Sequence, residues 1–243
     1  MNQQAKRIKE LFGYARTLTK EQGIGTMCVR AAGFFKRRFF GKRARYWPSN
    51  MALEAQRSDP AAETFPIISI LTPLYNTPQN FLTEFLDSVE NQTAHNWQLC
   101  LADASDDAHT YVGELVQKHV AANPRIRYVK IENKGIAANT NAAAELASGE
   151  YLALADHDDI LAPHAMYTMG QAIRQLREAG EPDGFLYSDE ALFTKKIEKP
   201  LVAHFKPDYA PDYLLCCNYI CHLAVFRREL FEQVGGERPE CDG

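Results

Sequence analysis

An acidic tetrapeptide carries the clearest chemical signal in the sequence. Asp156, His157, Asp158 and Asp159 directly follow the apolar run YLALA at 151–155. Crowded carboxylates repel one another, which raises their pKa values unless a cation compensates the charge. Magnesium and manganese prefer oxygen ligands, typically one or two carboxylates plus substrate phosphates. The segment therefore predicts a divalent metal site. The structural alternative is that Asp158 and Asp159 cap a helix beginning near Pro163.

Polar residues also follow three earlier apolar segments. These stretches are TPLYN at 72–76, ADASDD at 102–107 and ENKGIAANTN at 132–141. Asp103 could accept hydrogen bonds from a nucleobase or ribose, and Gly135 opens a helix whose free N–H groups can approach phosphate. Taken singly, Asp103 and Asn133 are more typical of turns or caps, and Asn141 of a polar helix position. Their order after successive apolar runs favours a nucleotide site.

Hydrophobic periodicity predicts the elements that would position these residues. Apolar runs at 67–72, 97–102, 126–131 and 151–155 are typical of strands. Between them, apolar residues recur at helical spacing over 81–89 and 111–119, and an Ala-rich stretch covers 136–147. The strands start 25 to 30 residues apart, which fits right-handed βαβ units. We expect an α/β fold with a mostly parallel sheet flanked by helices, and ligands at the carboxyl ends of its strands.

The charge distribution divides the chain. Residues 1–50 carry 12 Lys or Arg and two acids, whereas the remainder carries 15 basic and 29 acidic residues. The segment FFKRRFFGKRARYW at 34–47 suits an anionic membrane interface or a nucleic-acid backbone, with a solvated basic helix as the alternative. Because no nucleic-acid module follows, we favour the membrane and expect no nucleic-acid partner. We predict a basic helical appendage over 1–50, a linker over 51–65 and a globular domain over 66–243.

Composition excludes several classes of protein. The chain has 243 residues, of which 46% are hydrophobic and 24% charged, as in ordinary globular proteins. No run approaches the roughly 18 apolar residues that span a bilayer, and the first residues lack a signal peptide's apolar stretch, so we expect a cytoplasmic protein. The six cysteines are too scattered for a disulfide scaffold and are expected to be reduced. We interpret the clustered cysteines as small buried residues; the alternative is that Cys217, Cys221 and His222 bind zinc.

Six ordered blocks lie between about Ile67 and the end of the sequence. They are ISILTPLYN at 68–76, Asp103-x-Ser105, NKGIAANTNAAAELASGEYLALADHDDIL at 133–161, YSDE at 187–190, FKPDYAPDYLL at 205–215 and NYICHLAVFRRELFEQVGG at 218–236. In these blocks the sequence resembles the family 2 glycosyltransferases with the GT-A fold. The similarity is greatest to the bacterial members that assemble O-antigen and related surface polysaccharides.

The resemblance implies a Rossmann-like domain that transfers a sugar, with inversion, from a UDP- or dTDP-linked donor to a glycan or polyprenyl-linked acceptor. It implies Mg²⁺ or Mn²⁺ held by Asp156 and Asp158, with Asp158 as the principal ligand. The expected donor nucleotide contacts are Pro73, Tyr75, Asn76, Asp103, Asn133, Gly135, Asn141 and Asp156. The expected acceptor or donor-sugar contacts are Asp189, Glu190, Asn218 and His222. A charged turn is the alternative for Asp189 and Glu190, and a core position for His222.

The sequence departs from the family pattern in three places. Ala102 stands where many members have a second acid, and Thr140 stands where many have Arg. The identity of the nucleotide base is therefore not determined by these positions. The acidic motif with the general base would fall beyond Gly243, so Asp242 is only a weak candidate and the chain resembles a truncated piece of an enzyme. We expect a transferase at the inner face of the cytoplasmic membrane. The alternative is a nucleotide-sugar-binding or adaptor module without turnover.

Overall fold

The computed structural model describes residues 47–194, 196–197 and 200–242. Trp47–Gly243 forms one compact unit. The predicted basic appendage lies outside the described residues except for positions 47–50, so its helical character stays a prediction.

A six-stranded sheet forms the centre of this unit. In spatial order its strands are β3 (Ile126–Lys130), β2 (Trp97–Asp103), β1 (Ile68–Leu74), β4 (Tyr151–Leu154), β8 (Ala224–Arg227) and β5 (Phe185–Tyr187). The pairs β3–β2, β2–β1 and β1–β4 are parallel, whereas β8 runs antiparallel to β4 and β5. A separate hairpin consists of β6 (Glu190–Leu192) and β7 (Val202–His204). The expected mostly parallel sheet is confirmed, with β8 as its reversed strand.

Helices connect the strands. They are α1 (Asn50–Arg57), α2 (Gln79–Glu90), α3 (Tyr111–Ala122), α4 (Ile136–Ala144), α5 (Ala165–Ala179), α6 (Pro211–Leu214) and α7 (Arg228–Gln233), with short 3-10 helices at Pro60–Thr64, Asp107–His109 and Pro239–Cys241. The spacing that predicted α2 is the spacing of its buried face, which consists of Leu82, Phe85, Leu86 and Val89. The three helices expected between the first four strands are therefore confirmed.

Apolar residues on both faces of the sheet hold the helices in place. On one face, Ile68 and Ile70 of β1 belong to the cluster that contains residues of α2, α3 and α5. On the other face, Leu71 packs with Ala143 of α4 and Phe231 of α7. Successive strand residues point to opposite faces, so a strand covered on both sides needs a continuous apolar run. This is why β1, β2 and β4 were visible in the sequence, whereas β3 lies at the edge of the sheet and has only Ile126 buried.

The segment 51–65, expected to be a linker, is instead helical and packed. Ser49 caps α1 by accepting a backbone N–H at 3.2 Å, and Asp59 caps the following 3-10 helix by accepting another at 2.9 Å. Ser, Asp and Pro favour helix starts as well as turns, so their clustering was ambiguous. Phe65 is buried edge-on against Tyr167 of α5, with ring centroids 5.5 Å apart. These contacts make the segment part of the domain.

Candidate functional site

The register between β4 and β8 brings an acid and a histidine together. Leu154 at the end of β4 pairs with Ala224 at the start of antiparallel β8. Asp156 lies two residues after Leu154, and His222 lies two residues before Ala224. Because the strands are antiparallel, both residues lie at the same end of the strand pair. His222 Nε2 lies 3.0 Å from Asp156 Oδ2. Their hydrogen bond lowers the pKa of Asp156 and raises the pKa of His222.

A third side chain completes a group that could hold a cation. Ligand atoms of Asp156, Asp159 and His222 all lie within 4.8 Å of one another. Partial desolvation of the carboxyl raises the pKa of Asp159; His222 opposes this effect, and the negative charges of the neighbouring acids add to it. Two carboxylates and one imidazole form a donor set that fits a divalent ion, which would also relieve the repulsion among the acids.

The neighbouring acids do not all belong to the ligand group. All three acids, Asp156, Asp158 and Asp159, are exposed, but Asp158 does not belong to this group, so the resemblance and the structure point to different second carboxylates. The capping alternative for Asp158 and Asp159 is wrong, because the residue at the N-cap of α5 is His164. The core alternative for His222 also fails, because its side chain is 37% exposed and ion-paired.

The loop after β1 is bound to the loop after β2. Asn76 donates from Nδ2 to Asp106 at 2.9 Å, accepts the Asp106 N–H at Oδ1, and donates its own N–H to Ser105 Oγ. Its φ of 51° lies in the left-handed region, which Asn tolerates better than most residues. Tyr75 beside it is 49% exposed. Both expected contacts therefore lie at the carboxyl end of β1, where a ligand would bind.

Pro73 explains why the sheet opens beside this loop. The pairing of β1 with β4 ends at Leu71 and Leu154, whereas the pairing of β1 with β2 continues to Leu74. Proline has no N–H to donate to a ladder, so it is tolerated where no partner strand remains on that side. The end of β1 thus borders the gap where β4 leads into Asp156.

Asp103, the expected reader of the base, is buried and already has three hydrogen-bond partners. Its Oδ2 accepts from Tyr128 Oη at 2.8 Å and from Lys130 Nζ at 3.2 Å, and its Oδ1 accepts the Ser105 N–H at 2.9 Å. A carboxylate offers about four acceptor sites. Asp103 therefore has room for about one further donor. Tyr128 and Lys130 were not singled out from the sequence.

The start of α4 has a carboxylate against it. Gly135 is the N-cap residue with a φ of 96°, and its N–H donates to Asn133 Oδ1 at 3.2 Å. Asp242 Oδ1 accepts the Ala137 N–H at 3.0 Å. A β-carbon at position 135 would lie 2.3 Å from Asp242 Oδ2, a contact that the carboxylate could relieve by moving, so it is the backbone angle that favours glycine here. In the structure, the anionic group at the start of α4 is therefore the Asp242 carboxylate, and the phosphate contact stays a prediction.

Asn141 binds the backbone rather than the gap. Its Nδ2 donates to the Glu237 carbonyl and its Oδ1 accepts the Glu237 N–H, both at 2.8 Å. Burial raises the pKa of Glu237, and the charges of Asp242 and Asp156 add to this. Glu237 therefore belongs to the same acidic region, although no sequence signal identified it. It also helps to line a cavity of about 560 Å³ together with Ala137 of α4, Arg238 and Asp242.

The remaining expected contacts lie at the hairpin of β6 and β7 and in the loop before β8. Asp189 Oδ1 accepts the Lys206 N–H at 2.8 Å, and Glu190 pairs with Lys206 Nζ at 3.2 Å and with His204 Nδ1 at 2.9 Å. Asn218 Oδ1 accepts the Cys221 N–H at 3.3 Å. Glu190 is thus neither a free carboxylate nor part of a simple turn, and Asn218 shapes the loop before His222.

The cysteines give no support to the zinc alternative. The five cysteines within the described residues are free thiols, which agrees with the expected reduced state. Cys217 and Cys221 are exposed rather than buried. The group of potential ligands that contains His222 in this part of the chain includes no cysteine.

A family model matches most of this domain. Residues 69–235 match the model of glycosyl transferase family 2. The chain belongs to this family. The strand-end residues described above all lie within or just beyond the matched range.

Two relatives illustrate the family 2 similarity. Protein y4gI of Sinorhizobium fredii, which is uncharacterised, is 39% identical over 181 residues, or 73% of this chain and 19% of that protein. O-antigen biosynthesis protein RfbC of Myxococcus xanthus is 31% identical over 179 residues, or 73% of this chain and 14% of that protein. This chain therefore spans less than a fifth of the length of either relative.

Solved structures confirm the GT-A fold. Mannosyltransferase PcManGT from Pyrobaculum calidifontis, in complex with GDP-Man and Mn²⁺, gives a TM-score of 0.51 at 19% identity and covers 78% of this chain and 54% of that one. Residues 1-349 of S. aureus TarS give a TM-score of 0.54 at 18% identity, and the match covers 73% of this chain and 52% of that one. At these identities the likeness concerns the fold alone. Within the described residues, no helix is both long and apolar enough to cross a membrane.

Proposed function

We propose that this family 2 domain binds a nucleotide-diphosphate sugar and a divalent cation as the donor half of an inverting glycosyltransferase. The observation that carries the proposal is the convergence of Asp156, Asp159 and His222 at the carboxyl end of β4. In α/β sheets, ligands bind outside the carboxyl ends of the strands, where the strand order reverses. Here β1 lies between β2 and β4, so the gap beside Pro73 is that place.

The donor would lie across the ends of β1, β2 and β4. Asp103, Pro73 and Tyr75 would contact the nucleoside, which we propose to be UDP- or dTDP-linked. The N–H groups at the start of α4, where Asp242 lies in the structure, would attract the diphosphate. Binding of GDP-Man by PcManGT and of UDP by TarS supports a nucleotide ligand for this fold.

The cation would be Mg²⁺ or Mn²⁺. Asp156, Asp159 and His222 would hold it, with Asp158, which the resemblance makes the principal ligand, exposed beside them. When bound, such an ion offsets the negative charge that grows on a diphosphate leaving group. The presence of Mn²⁺ in the PcManGT complex supports a divalent ion.

Transfer with inversion requires a general base on the acceptor side. The base would remove a proton from an acceptor hydroxyl while that oxygen attacks the anomeric carbon from the face opposite the diphosphate. We do not assign this role to Asp242, because its carboxylate caps α4. Asp189 and Glu190, which we place on the acceptor side, already bind Lys206 and His204 and would shape the site rather than accept the proton.

The acceptor would be a glycan or a polyprenyl-linked intermediate of a bacterial surface polysaccharide. The relationship to an O-antigen biosynthesis protein supports this pathway. The basic aromatic segment at 34–47 supports a place at the inner face of the cytoplasmic membrane.

Calorimetric titration of the 243-residue chain with UDP, dTDP and GDP, each with and without Mn²⁺, tests the proposal. We expect binding of UDP or dTDP that Mn²⁺ strengthens. Absence of binding by a folded chain would contradict the donor site, and GDP-selective binding would overturn the expected base.

A matched pair of variants assigns the carboxylate. Loss of the Mn²⁺ effect in Asp159→Ala alone supports the ligand group seen in the structure, whereas loss in Asp158→Ala alone supports the assignment from the resemblance. Asp87→Ala, an exposed acid on α2, is the control that should change neither. An unchanged Mn²⁺ effect in both site variants would refute metal binding by this segment.

A further inference from the structure

Lys206 is a buried lysine with every donor used. Its side chain is 1% exposed, although lysines are rarely buried without a partner. Its Nζ lies 2.5 Å from the Ile220 carbonyl, 2.6 Å from the His222 carbonyl and 3.2 Å from Glu190 Oε2. An ammonium group has three donors, and these three acceptors match them. The cost of burying the charge is thereby offset.

This one ammonium joins three separate stretches of chain. The backbone N–H of Lys206 donates to Asp189 Oδ1 at 2.8 Å, and Glu190 Oε1 accepts from His204 Nδ1 at 2.9 Å. The residues around 189, 205 and 221 are therefore bound to one another through Lys206. None of these contacts involves Pro73, Tyr75 or Asp103, the proposed nucleoside contacts.

His222 is held at both ends by this arrangement. Its carbonyl oxygen accepts from Lys206, and its imidazole Nε2 meets Asp156. The preceding residue, Cys221, has a φ of 39°, in a region that non-glycine residues rarely occupy. A backbone of this kind persists only where its surroundings hold it.

We infer that Lys206 is a positioning residue that fixes the His222 backbone so that the imidazole meets Asp156 and Asp159. Insofar as it concerns metal affinity, the inference rests on the proposed cation site. Partners that orient a metal ligand typically change metal affinity by about 10- to 100-fold when removed. A lysine that merely stabilised the fold would instead affect every ligand equally.

The test compares Lys206→Met with Lys118→Met, a control at an exposed lysine of α3. In the metal-free full chain, we expect the histidine ring ¹⁵N signals of His222 to move in Lys206→Met and to stay in the control. Titration with MnCl₂ alone should show affinity lower by about 10- to 100-fold. Titration with UDP without metal, which reports the Asp103 side, should be unchanged.

The outcomes separate this inference from the proposed function. If the His222 ring signals do not move, the positioning role is refuted, whatever the metal does. If they move but the wild-type chain does not bind Mn²⁺, the cation site is refuted and the positioning role stands. An equal loss of affinity for Mn²⁺ and for UDP would indicate that Lys206 only stabilises the fold, and it would also overturn the inference. Should Lys206→Met fail to fold, Glu190→Gln removes the charge partner and should move the same signals in the same direction.

Discussion

Replacing Asp183 with alanine should weaken the seam between β4 and β8 on which the candidate site depends. Asp183 is 7% exposed and accepts two hydrogen bonds from Arg227, at 2.9 and 2.8 Å. It also accepts from Arg177 Nε and from Tyr151 Oη, both at 2.7 Å. These partners lie on β8, α5 and β4, so one carboxylate joins three elements.

The structure sets the magnitude of the effect. Removing one partner of a buried ion pair costs about 3–5 kcal/mol, because the remaining charge is left uncompensated. Here the side chains of Arg177 and Arg227 are 36% and 29% exposed, and Glu150 pairs with both. Water and Glu150 would therefore compensate part of the charge. We expect a loss of about 3 kcal/mol in the free energy of unfolding, or a Tm lower by roughly 6–12 °C.

Denaturant unfolding of the full chain at several pH values measures this loss. Burial opposes ionisation of Asp183, but hydrogen bonds from Arg177, Tyr151 and Arg227 outweigh it and hold its pKa well below the usual range. A depressed pKa in the folded state gives stability that is present above the unfolded pKa of about 3.9 and is lost as the pH falls below it. The difference between wild type and variant should therefore be constant from about pH 7 to 5 and shrink below about pH 4.

The control is Asp87→Ala, which removes an exposed acid from α2 and should change the unfolding free energy by less than about 0.5 kcal/mol. A loss below about 1 kcal/mol for the Asp183 variant at neutral pH would refute the reasoning, because surface ion pairs reach that value. A loss that persists undiminished at about pH 3 would show that the charge of Asp183 is not its cause.

Three further predictions concern the interior around the sheet. Gly149→Ala would place a β-carbon 2.6 Å from the Ile67 carbonyl oxygen. We therefore expect the free energy of unfolding to fall by about 1–3 kcal/mol, which thermal unfolding measures, and an unchanged Tm would contradict this prediction. Burial raises the pKa of the Cys100 thiol to about 12, so peptide mapping after alkylation at pH 8 should find it unmodified in the folded chain and modified in denaturant. Burial and the hydrogen bond to Asp103 raise the pKa of Tyr128; in Asp103→Asn that pKa should fall in a spectrophotometric titration, but burial should keep it above 10.

The sequence predicted the central strands β1, β2 and β4, which are buried on both faces, and also the edge strand β3. The strands at 67–72, 97–102, 126–131 and 151–155 are within two residues of their observed bounds at each end. The linker at 51–65 was wrong because Ser49, Asp59 and Pro60 act as helix caps as readily as turn formers. Local composition cannot distinguish these two uses, since the deciding contact is that of Phe65 with Tyr167, a residue far along the chain.

For the candidate site, the sequence predicted positions at strand ends but not the hydrogen-bond partners of the residues there. Asp156 and Asn76 lie at strand ends, as expected from the order of strands alone. Asp103 and Asn141 also make contacts that the sequence did not predict, with Tyr128, Lys130 and the Glu237 backbone. Such partners come from other elements, and their hydrogen bonds leave no periodic signal in the sequence.

The meeting of His222 with Asp156 is the clearest case of information that only pairing supplies. Sequence reasoning had no means of knowing that β8 runs antiparallel to β4 or that Ala224 pairs with Leu154. Yet the sequence does fix this register once the strand is in place. Leu223 and Val225 point into the larger apolar cluster, and a slip of one residue would turn both towards the opposite face. Burial of these two side chains thus selects the pairing that places His222 beside Asp156, so packing of the core determines the geometry of the site.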